Sequence, residues 1–330
     1  MQYSSRWLAA IVLVAVADVT VAGCVGDSPN GATDAGTDAT TPDAGIDVGS
    51  SDAGADAATS ACDITKPFSA PMRLDGLTNT QFHDDGFWLL PDLLTVFASG
   101  DRPLDGSVGD FDILTATRSS ADAAFGPYAV VAASTNFPDR APTLTADGRT
   151  MYFTRGYSPY QIYVATRSSA LVPFGPAALA DAPLTGAAND VADWVSQDGT
   201  TIYISSDRPG SAGFDIYVAA RVSAGCGTPT LVSSLNSPQE DSAVILTPDE
   251  LQAFVASNRP GGAGALDIYH SSRASKSSGF STPVLLGELS SPTVDQPVWV
   301  SPDGCTLYFT SRDRDSGMGG YDTYVATRAK

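Results

Sequence analysis

Histidine, glutamate and lysine are nearly missing from this 330-residue chain, which has only His83 and His270 and three each of glutamate and lysine. The two histidines stand far apart, and neither accompanies a nucleophile motif. The sequence has no Gly-x-Ser-x-Gly elbow, no His-Glu-x-x-His and no Cys-x-x-Cys. Their absence excludes the α/β-hydrolase peptidases, zincin proteases and thioredoxin-like redox proteins that those signatures mark. Basic residues are also scarce, 18 against 37 acidic ones, for a net charge of −19. Nucleic acid and anionic membrane surfaces both need a basic footprint, so neither is an expected partner. No apolar run reaches the ~20 residues of a membrane-spanning helix.

What the chain does have is one sentence written five times between Gln81 and Lys330. The copies open DDGFWLLPDLLTVFASGDRP, DRAPTLTADGRTMYFTRG, DVADWVSQDGTTIYISSDRPG, DSAVILTPDELQAFVASNRPGG and DQPVWVSPDGCTLYFTSRDRD. They close FDILTATR, QIYVATR, DIYVAAR, DIYHSSR and DTYVATR. A period of about 50 residues built from short strands is the mark of a propeller or a similar array.

The ends read differently. Arg6 followed by the apolar run Trp7–Ala17 has the form of a signal peptide over residues 1–24. Val21-Ala22-Gly23-Cys24 resembles a bacterial lipobox, which implies lipidation at Cys24 and membrane attachment through acyl chains. Val25 is not the aspartate that resembles an inner-membrane retention signal, so the resemblance implies the outer membrane. Residues 25–61 are rich in Ala, Gly, Asp and Thr, without lysine or arginine. Such a segment cannot bury apolar surface and is expected to be a disordered tether. It would hold the domain on the order of 35 Å from the membrane.

Residues 62–330 then form the folded unit. Each copy supplies an inner strand beginning at its first aspartate, a hairpin turn, a second strand such as Met151-Tyr152-Phe153, and a third such as Asp215-Ile216-Tyr217-Val218. Consecutive apolar residues in the second strand imply burial on both faces. Asp147-Gly148, Asp198-Gly199 and Asp303-Gly304 are two-residue turn signals. Asp92-Leu93 and Asp249-Glu250 lack the glycine, so those turns are expected to differ. A fourth strand begins near Phe125, Phe174, Cys226 and Phe280 in four copies, but the fifth copy has none. Phe68–Leu74 has the same Phe-x-x-Pro start, and Leu77-Thr78-Asn79 matches Leu235-Asn236-Ser237. The N-terminal segment is therefore expected to complete the last blade, giving an all-β, five-bladed β-propeller sealed by its own first strand. Cys62 and Cys305 both fall at the lower rim of that blade and are expected to pair. The rival pairing, Cys62 with Cys226, would span two blades. Cys226 is expected to be a buried free thiol.

Copies such as Ser301-Pro302-Asp303-Gly304-Cys305-Thr306-Leu307-Tyr308-Phe309 ending in Tyr321-Asp322-Thr323-Tyr324-Val325 resemble the WD40-like propeller repeats of TolB-type proteins. The resemblance covers residues 67–330. It implies a periplasmic scaffolding or protein-binding module near envelope lipoproteins. The familiar arrangement has six blades and an additional N-terminal domain, and this chain lacks both, so no Tol-system role carries over.

Strand polarity places Asp84, Asp139, Asp190, Asp241 and Asp295 around the mouth of the central channel. Arg102, Arg155, Arg208, Arg259 and one of Arg312 or Arg314 join them on that upper face. The structural reading is a network in which arginines neutralise one carboxylate per blade. The functional reading is a ring that binds an axial ligand or cation, calcium being the alternative to no cofactor at all. The third-strand aspartates Asp112, Asp215, Asp267 and Asp322 are replaced by Gln161 in copy two, which points to hydrogen bonding rather than charge. Trp88, Trp194 and Trp299 are expected to pack between blades. Features that break the repeat carry more functional information. They are Tyr157, Pro159 and Tyr160; Asp313, Asp315, Met318 and Tyr321; Asp193; and Glu240 before Asp241. The reading is a lipid-anchored envelope module that binds a protein or an envelope polymer through its upper face without chemistry. The alternative is a carbohydrate-active hydrolase with Glu240 as acid and Asp84 or Asp190 as nucleophile or base.

Overall fold

The computed structural model describes residues 62–74, 82–222, 225–314 and 320–329. The signal segment with Cys24, the linker, the Leu77-Thr78-Asn79 match, and Asp315 and Met318 lie outside them.

Strand β1 (Met72–Arg73) precedes the blades. Blade one holds β2 (Asp84–Leu89), β3 (Thr95–Gly100), β4 (Asp112–Thr117) and β5 (Ala129–Val130). Blade two holds β6 (Asp139–Leu144), β7 (Thr150–Arg155), β8 (Gln161–Thr166) and β9 (Ala178–Leu179). Blade three holds β10 (Asp190–Val195), β11 (Thr201–Ser206), β12 (Asp215–Val222), β13 (Gly225–Cys226) and β14 (Thr230–Leu231). Blade four holds β15 (Asp241–Leu246), β16 (Gln252–Ser257), β17 (Asp267–Ser272) and β18 (Val284–Leu285). Blade five holds β19 (Asp295–Val300), β20 (Thr306–Arg312) and β21 (Tyr321–Thr327), with β1 as its outer strand. The described residues thus form five antiparallel sheets, each running outward from its inner strand.

The chain's beginning closes the wheel. Met72 pairs with Val325 and Arg73 with Tyr324. On either side the Ser69 amide donates to the Thr327 carbonyl at 2.7 Å and the Leu74 amide to the Thr323 carbonyl at 2.9 Å. The inner strands touch in an unbroken cycle, β2 to β6 to β10 to β15 to β19 and back to β2. Trp299 helps join the last blade to the first, its indole N–H donating to the Leu89 carbonyl at 2.9 Å. Cys62 is bonded to Cys305, with Cα atoms 5.8 Å apart across 243 residues of sequence. Cross-linking so long a loop stabilises by at most ~5 kcal/mol in the chain-entropy model. Cys226 is buried, as its position implies, but it is not a free thiol. It is disulfide-bonded, and its partner lies outside the described residues.

The second strands carry the core. Met151, Phe153, Ile202, Ile204, Phe254, Leu307 and Phe309 are sealed from solvent, because each middle strand lies between neighbouring blades on both faces.

The inner hairpin turns correct one expectation. Gly148, Gly199 and Gly304 take φ of 63°, 67° and 70°, and Leu93 and Glu250 take 60° and 61°. All five turns therefore share one left-handed conformation despite the missing glycines. In three copies the closing arginine accounts for much of this. Arg118, Arg167 and Arg273 donate through Nε to the carbonyls of Leu93, Gly148 and Glu250 at 2.6–2.7 Å. The Glu250 carboxylate also binds Arg273 at 3.2 Å and Lys276 at 2.7 Å. These bonds offset the ~1–2 kcal/mol that a left-handed Cβ costs.

Candidate functional site: a cavity at the upper end of the axis

The five inner aspartates all begin their strands and are all buried. Each is held by an arginine of its own blade. The ion pairs are Asp84–Arg102 at 2.6 Å, Asp139–Arg155 at 2.6 Å, Asp190–Arg208 at 2.8 Å, Asp241–Arg259 at 2.5 Å and Asp295–Arg314 at 3.0 Å. Of the two fifth-copy candidates, Arg314 takes this role, while Arg312 is exposed beside Asp313. The other carboxylate oxygen accepts a loop amide in blades two to five, from Thr135, Gly186, Ser237 and Ser291. The arginines of those blades also donate to carbonyls of the preceding connection, at Ala133, Leu184, Leu235 and Leu289. Their guanidinium groups lie over Tyr163, Tyr217, Tyr269 and Tyr324, 4.6–5.5 Å from the ring centroids. One residue per repeat thus ties inner strand, third strand and inter-blade connection together. Burial pushes the Asp139 carboxyl up, and the Arg155 guanidinium opposes that shift.

Two of the third-strand aspartates are held by their own loops. Asp112 and Asp267 accept amides of their own loops, Val108 at 3.2 Å and Gly264 at 2.9 Å. In blade two the Gln161 amide donates to the Gly186 carbonyl at 3.1 Å, so the swap preserves hydrogen bonding at that position. Among the described residues no group of three His, Cys, Asp or Glu side chains is placed to hold a metal ion.

None of the five inner aspartates is among the residues that line the cavity at the upper end of the axis. That cavity, of about 610 Å³, opens instead among the residues one to three positions further along each inner strand and the loops between second and third strands. Two devices aim those residues. In blades one, two and four the chain turns left-handed at Gly86, Ala141 and Ala243, with φ of 74°, 50° and 50°. In blades three and five an extra residue interrupts the β10–β11 and β19–β20 ladders. It is Asp193 in one and Val298 in the other, and both line the cavity. Bulges re-aim side chains in this way where a strand must serve a site.

Four charged groups dominate the wall. Asp85 is paired with Arg140 at 3.0 Å and accepts the Ser99 hydroxyl at 2.6 Å. Burial raises its pKa, with Arg140 and then Ser99 opposing. The Arg140 guanidinium carbon also lies over Phe111, 3.4 Å from the ring centroid. Asp193 accepts the Ser205 hydroxyl at 2.5 Å. Burial pushes its pKa up to about 8, against the pull of Ser205 and the Val244 amide, with no cation to oppose it. Glu240 has its pKa raised by burial and then by the neighbouring Asp241. Aromatic residues complete the wall: Phe111, Tyr157, Tyr321, and the parallel rings of Tyr160 and Phe214 with centroids 6.4 Å apart. At the rim the Tyr157 hydroxyl donates to Asp110 at 2.5 Å.

Of the repeat-breaking residues, Tyr157, Tyr160, Asp193, Glu240 and Tyr321 converge on this cavity, whereas Pro159 and Asp313 stand outside its lining. Sequence reasoning missed Asp85, Arg140, Asp110, Phe111 and Phe214. A signal for the first two existed: the position after the inner aspartate reads Asp85, Arg140, Val191, Ser242 and Gln296, the least constant place in an otherwise regular strand. The tryptophans pack as expected at the lower end of the axis. There Trp88, Trp194 and Trp299 meet Pro91, Pro248 and Pro302 around a cavity of only about 40 Å³.

No protein-family profile matches the chain, and no curated protein matches it. Among solved structures it is similar to TolB from Acinetobacter baumannii, at 15% identity and a TM-score of 0.49, over 75% of this chain and 55% of that one. This chain thus spans about half the length of that protein. It is also similar to a TolB described as putative from Agrobacterium tumefaciens, at 16% identity and 0.44, over 74% and 83%. An α-L-arabinofuranosidase from Podospora anserina matches at 12% identity and 0.47, over 82% and 99%. At these identities and TM-scores the likeness carries no argument about function.

Proposed function

We propose that this chain is an exported propeller of the cell envelope that binds a protein or an envelope polymer, without chemistry, in the cavity at the upper end of its axis. One observation carries the reading. The carboxylates that repeat are neutralised inside their own blades, while residues that break the repeat gather on one cavity of about 610 Å³. That volume lies within the roughly 300–1,000 Å³ range of ligand sites. Arg6, the run Trp7–Ala17 and the lipobox at Cys24 support export to the envelope and an outer-membrane anchor. A disulfide between Cys62 and Cys305 fits an oxidising compartment. Pull-down from solubilised envelope tests the reading with wild type beside Arg140→Glu and Tyr157→Ala. Material recovered at least ~10-fold better by wild type supports it, and equal recovery by all three overturns it; ~10-fold corresponds to about 1.4 kcal/mol.

The anchor has its own test. Mass spectrometry of the exported protein decides it: an acylated N-terminal Cys24 supports anchoring, and an unmodified Cys24 overturns it.

A second reading, glycoside hydrolysis, rests on the proton that Asp193 keeps near neutral pH, as a general acid must. Asp84 and Asp190 no longer serve it, being tied to Arg102 and Arg208. Asp85, Asp193 and Glu240 would take their place. Turnover of aryl glycosides or envelope polysaccharides that is abolished by Asp193→Asn would replace the binding-only reading, and absence of turnover retires hydrolysis.

A further inference from the structure

The five inner carboxylates each have an arginine; on the side of blades one and two the cavity carboxylate Asp85 has Arg140, and Asp110 at the rim accepts the Tyr157 hydroxyl. The opposite side, from blades three and four, is built differently. Among the described residues Asp193 is met by a hydroxyl and an amide and by no cation. The Glu240 carboxylate makes no hydrogen bond or ion pair among the described residues; only its backbone is engaged, with Asn258. Nothing in the fold requires a carboxylate at the bulge, since blade five places Val298 at the matching position. On the side of blades three and four the cavity wall therefore carries two acids without a cation among the described residues, one of them at a position where valine serves the architecture; Asp193 holds its proton until a cation arrives to favour the carboxylate.

The cavity also offers aromatic faces beside those acids. Tyr160 and Phe214 stand parallel, their planes 5° apart, and Tyr321 and Tyr157 line the same space. A ring face attracts a cation within about 6 Å of its centroid, more strongly when water is excluded. A metal ion would need more oxygen ligands than are gathered here, since no three acidic, His or Cys side chains are placed together among the described residues. An organic cation needs fewer contacts and uses the aromatic faces as well. The chain's charge of −19 draws such a ligand in from a distance.

Resting on the binding reading above, we propose that this cavity recognises an organic cation, the ammonium of a lysine or the guanidinium of an arginine side chain, between Asp193, Glu240 and the aromatic wall. The shared chemistry could come from a segment of a partner protein or from a free polyamine, and the test separates them.

The full chain is titrated calorimetrically with acetyl-Gly-Lys-Gly-amide, acetyl-Gly-Arg-Gly-amide, the Nε-acetyl-lysine version of the first, and spermidine. The expected result is saturable binding of the Lys or Arg peptide, at least ~10-fold weaker with Nε-acetyl-lysine, which corresponds to about 1.4 kcal/mol. Asp193→Val and Glu240→Gln each weaken it at least ~5-fold, and Asp193→Val melts no lower than wild type, which sets lost binding apart from lost folding. A peptide preferred over spermidine points to a protein source, and the reverse to a polyamine. No binding of any cationic probe, or binding that neither acetylation nor Asp193→Val weakens, overturns the proposal. If pull-down still recovers a cavity-dependent partner in that case, the binding reading stands and only the cation is wrong.

Discussion

Two sets of carboxylates lie within a few residues of one another on the inner strands, and they obey different rules. Asp241 begins β15, is sealed from solvent and is bonded to Arg259 and to the Ser237 amide. Glu240 comes one residue earlier, is half-buried, lines the cavity and has no cationic partner among the described residues. Asp190 and Asp193 repeat the contrast in blade three, three residues apart. Repetition accounts for the first member of each pair, because every blade needs the same clamp. It cannot account for the second, because the other blades do without it. The difference separates groups that hold the wheel together from groups that the wheel merely carries.

The largest expected effect comes from breaking the clamp. Arg259→Met leaves Asp241 buried without its cation, and removing one partner of a buried pair costs about 3–5 kcal/mol. Urea titration should show that loss, whereas Asp193→Val should show none. A midpoint for Arg259→Met equal to wild type would erase the distinction between the two sets.

A smaller effect separates them by pH. The folded pKa of Asp193 lies near 8, above the usual carboxylate value. The unfolded chain releases that proton near pH 4, so stability is lost as pH rises from about 4 to about 8 and then levels. Of the charged groups around it, Asp190 shares its strand and is paired with Arg208, and Glu240 lines the same cavity. Asp193→Asn should therefore match wild type near pH 4 and exceed it by on the order of 2 kcal/mol at pH 8, allowing for water in the cavity. Parallel stability curves for the two proteins would mean that Asp193 ionises freely. His270 acts in the opposite sense. Burial, and then Arg328, holds its pKa near 4, so its contribution is lost as pH falls from about 6.5 to about 4. His270→Gln should flatten the acid limb without touching the alkaline one.

Glu240→Gln should change stability by less than ~1 kcal/mol, as expected for a half-buried residue without partners, while reducing capture of a cationic peptide. The smallest effect is that of calcium. With each ring carboxylate committed to an arginine, millimolar calcium should leave the melting temperature where it was. A rise that EDTA reverses would mean that the ring opens to metal, and the contrast between the two sets would fall.

Much of this architecture was legible in the chain. The Asp-to-Arg spacing, the apolar triplets and the Phe-x-x-Pro openings are local and recur five times, so five blades, a closing first strand and the Cys62–Cys305 bond could all be read from them. The left-handed turns at Leu93 and Glu250 could not, because their stability comes from arginines some 25 residues later. Arg314 could not be preferred to Arg312 for a similar reason. The choice depends on which guanidinium reaches the Leu289 carbonyl and Asp295 together. Of the cavity, Asp193, Glu240, Tyr157, Tyr160 and Tyr321 stood out as breaks in a pattern, but nothing in the order of residues says that they meet.

By itself the sequence determined the blades, their number, their in-house neutralisation and the way the ring is sealed, because each depends on short-range periods and on pairings that repetition enforces. Only the tertiary structure decided which carboxylates face open space. That depends on bulges at Gly86, Asp193 and Val298 and on left-handed turns at Ala141 and Ala243. Each displaces a side chain by one position relative to its ladder. With a strand period of two residues, a single displaced position separates a structural clamp from the wall of a binding site.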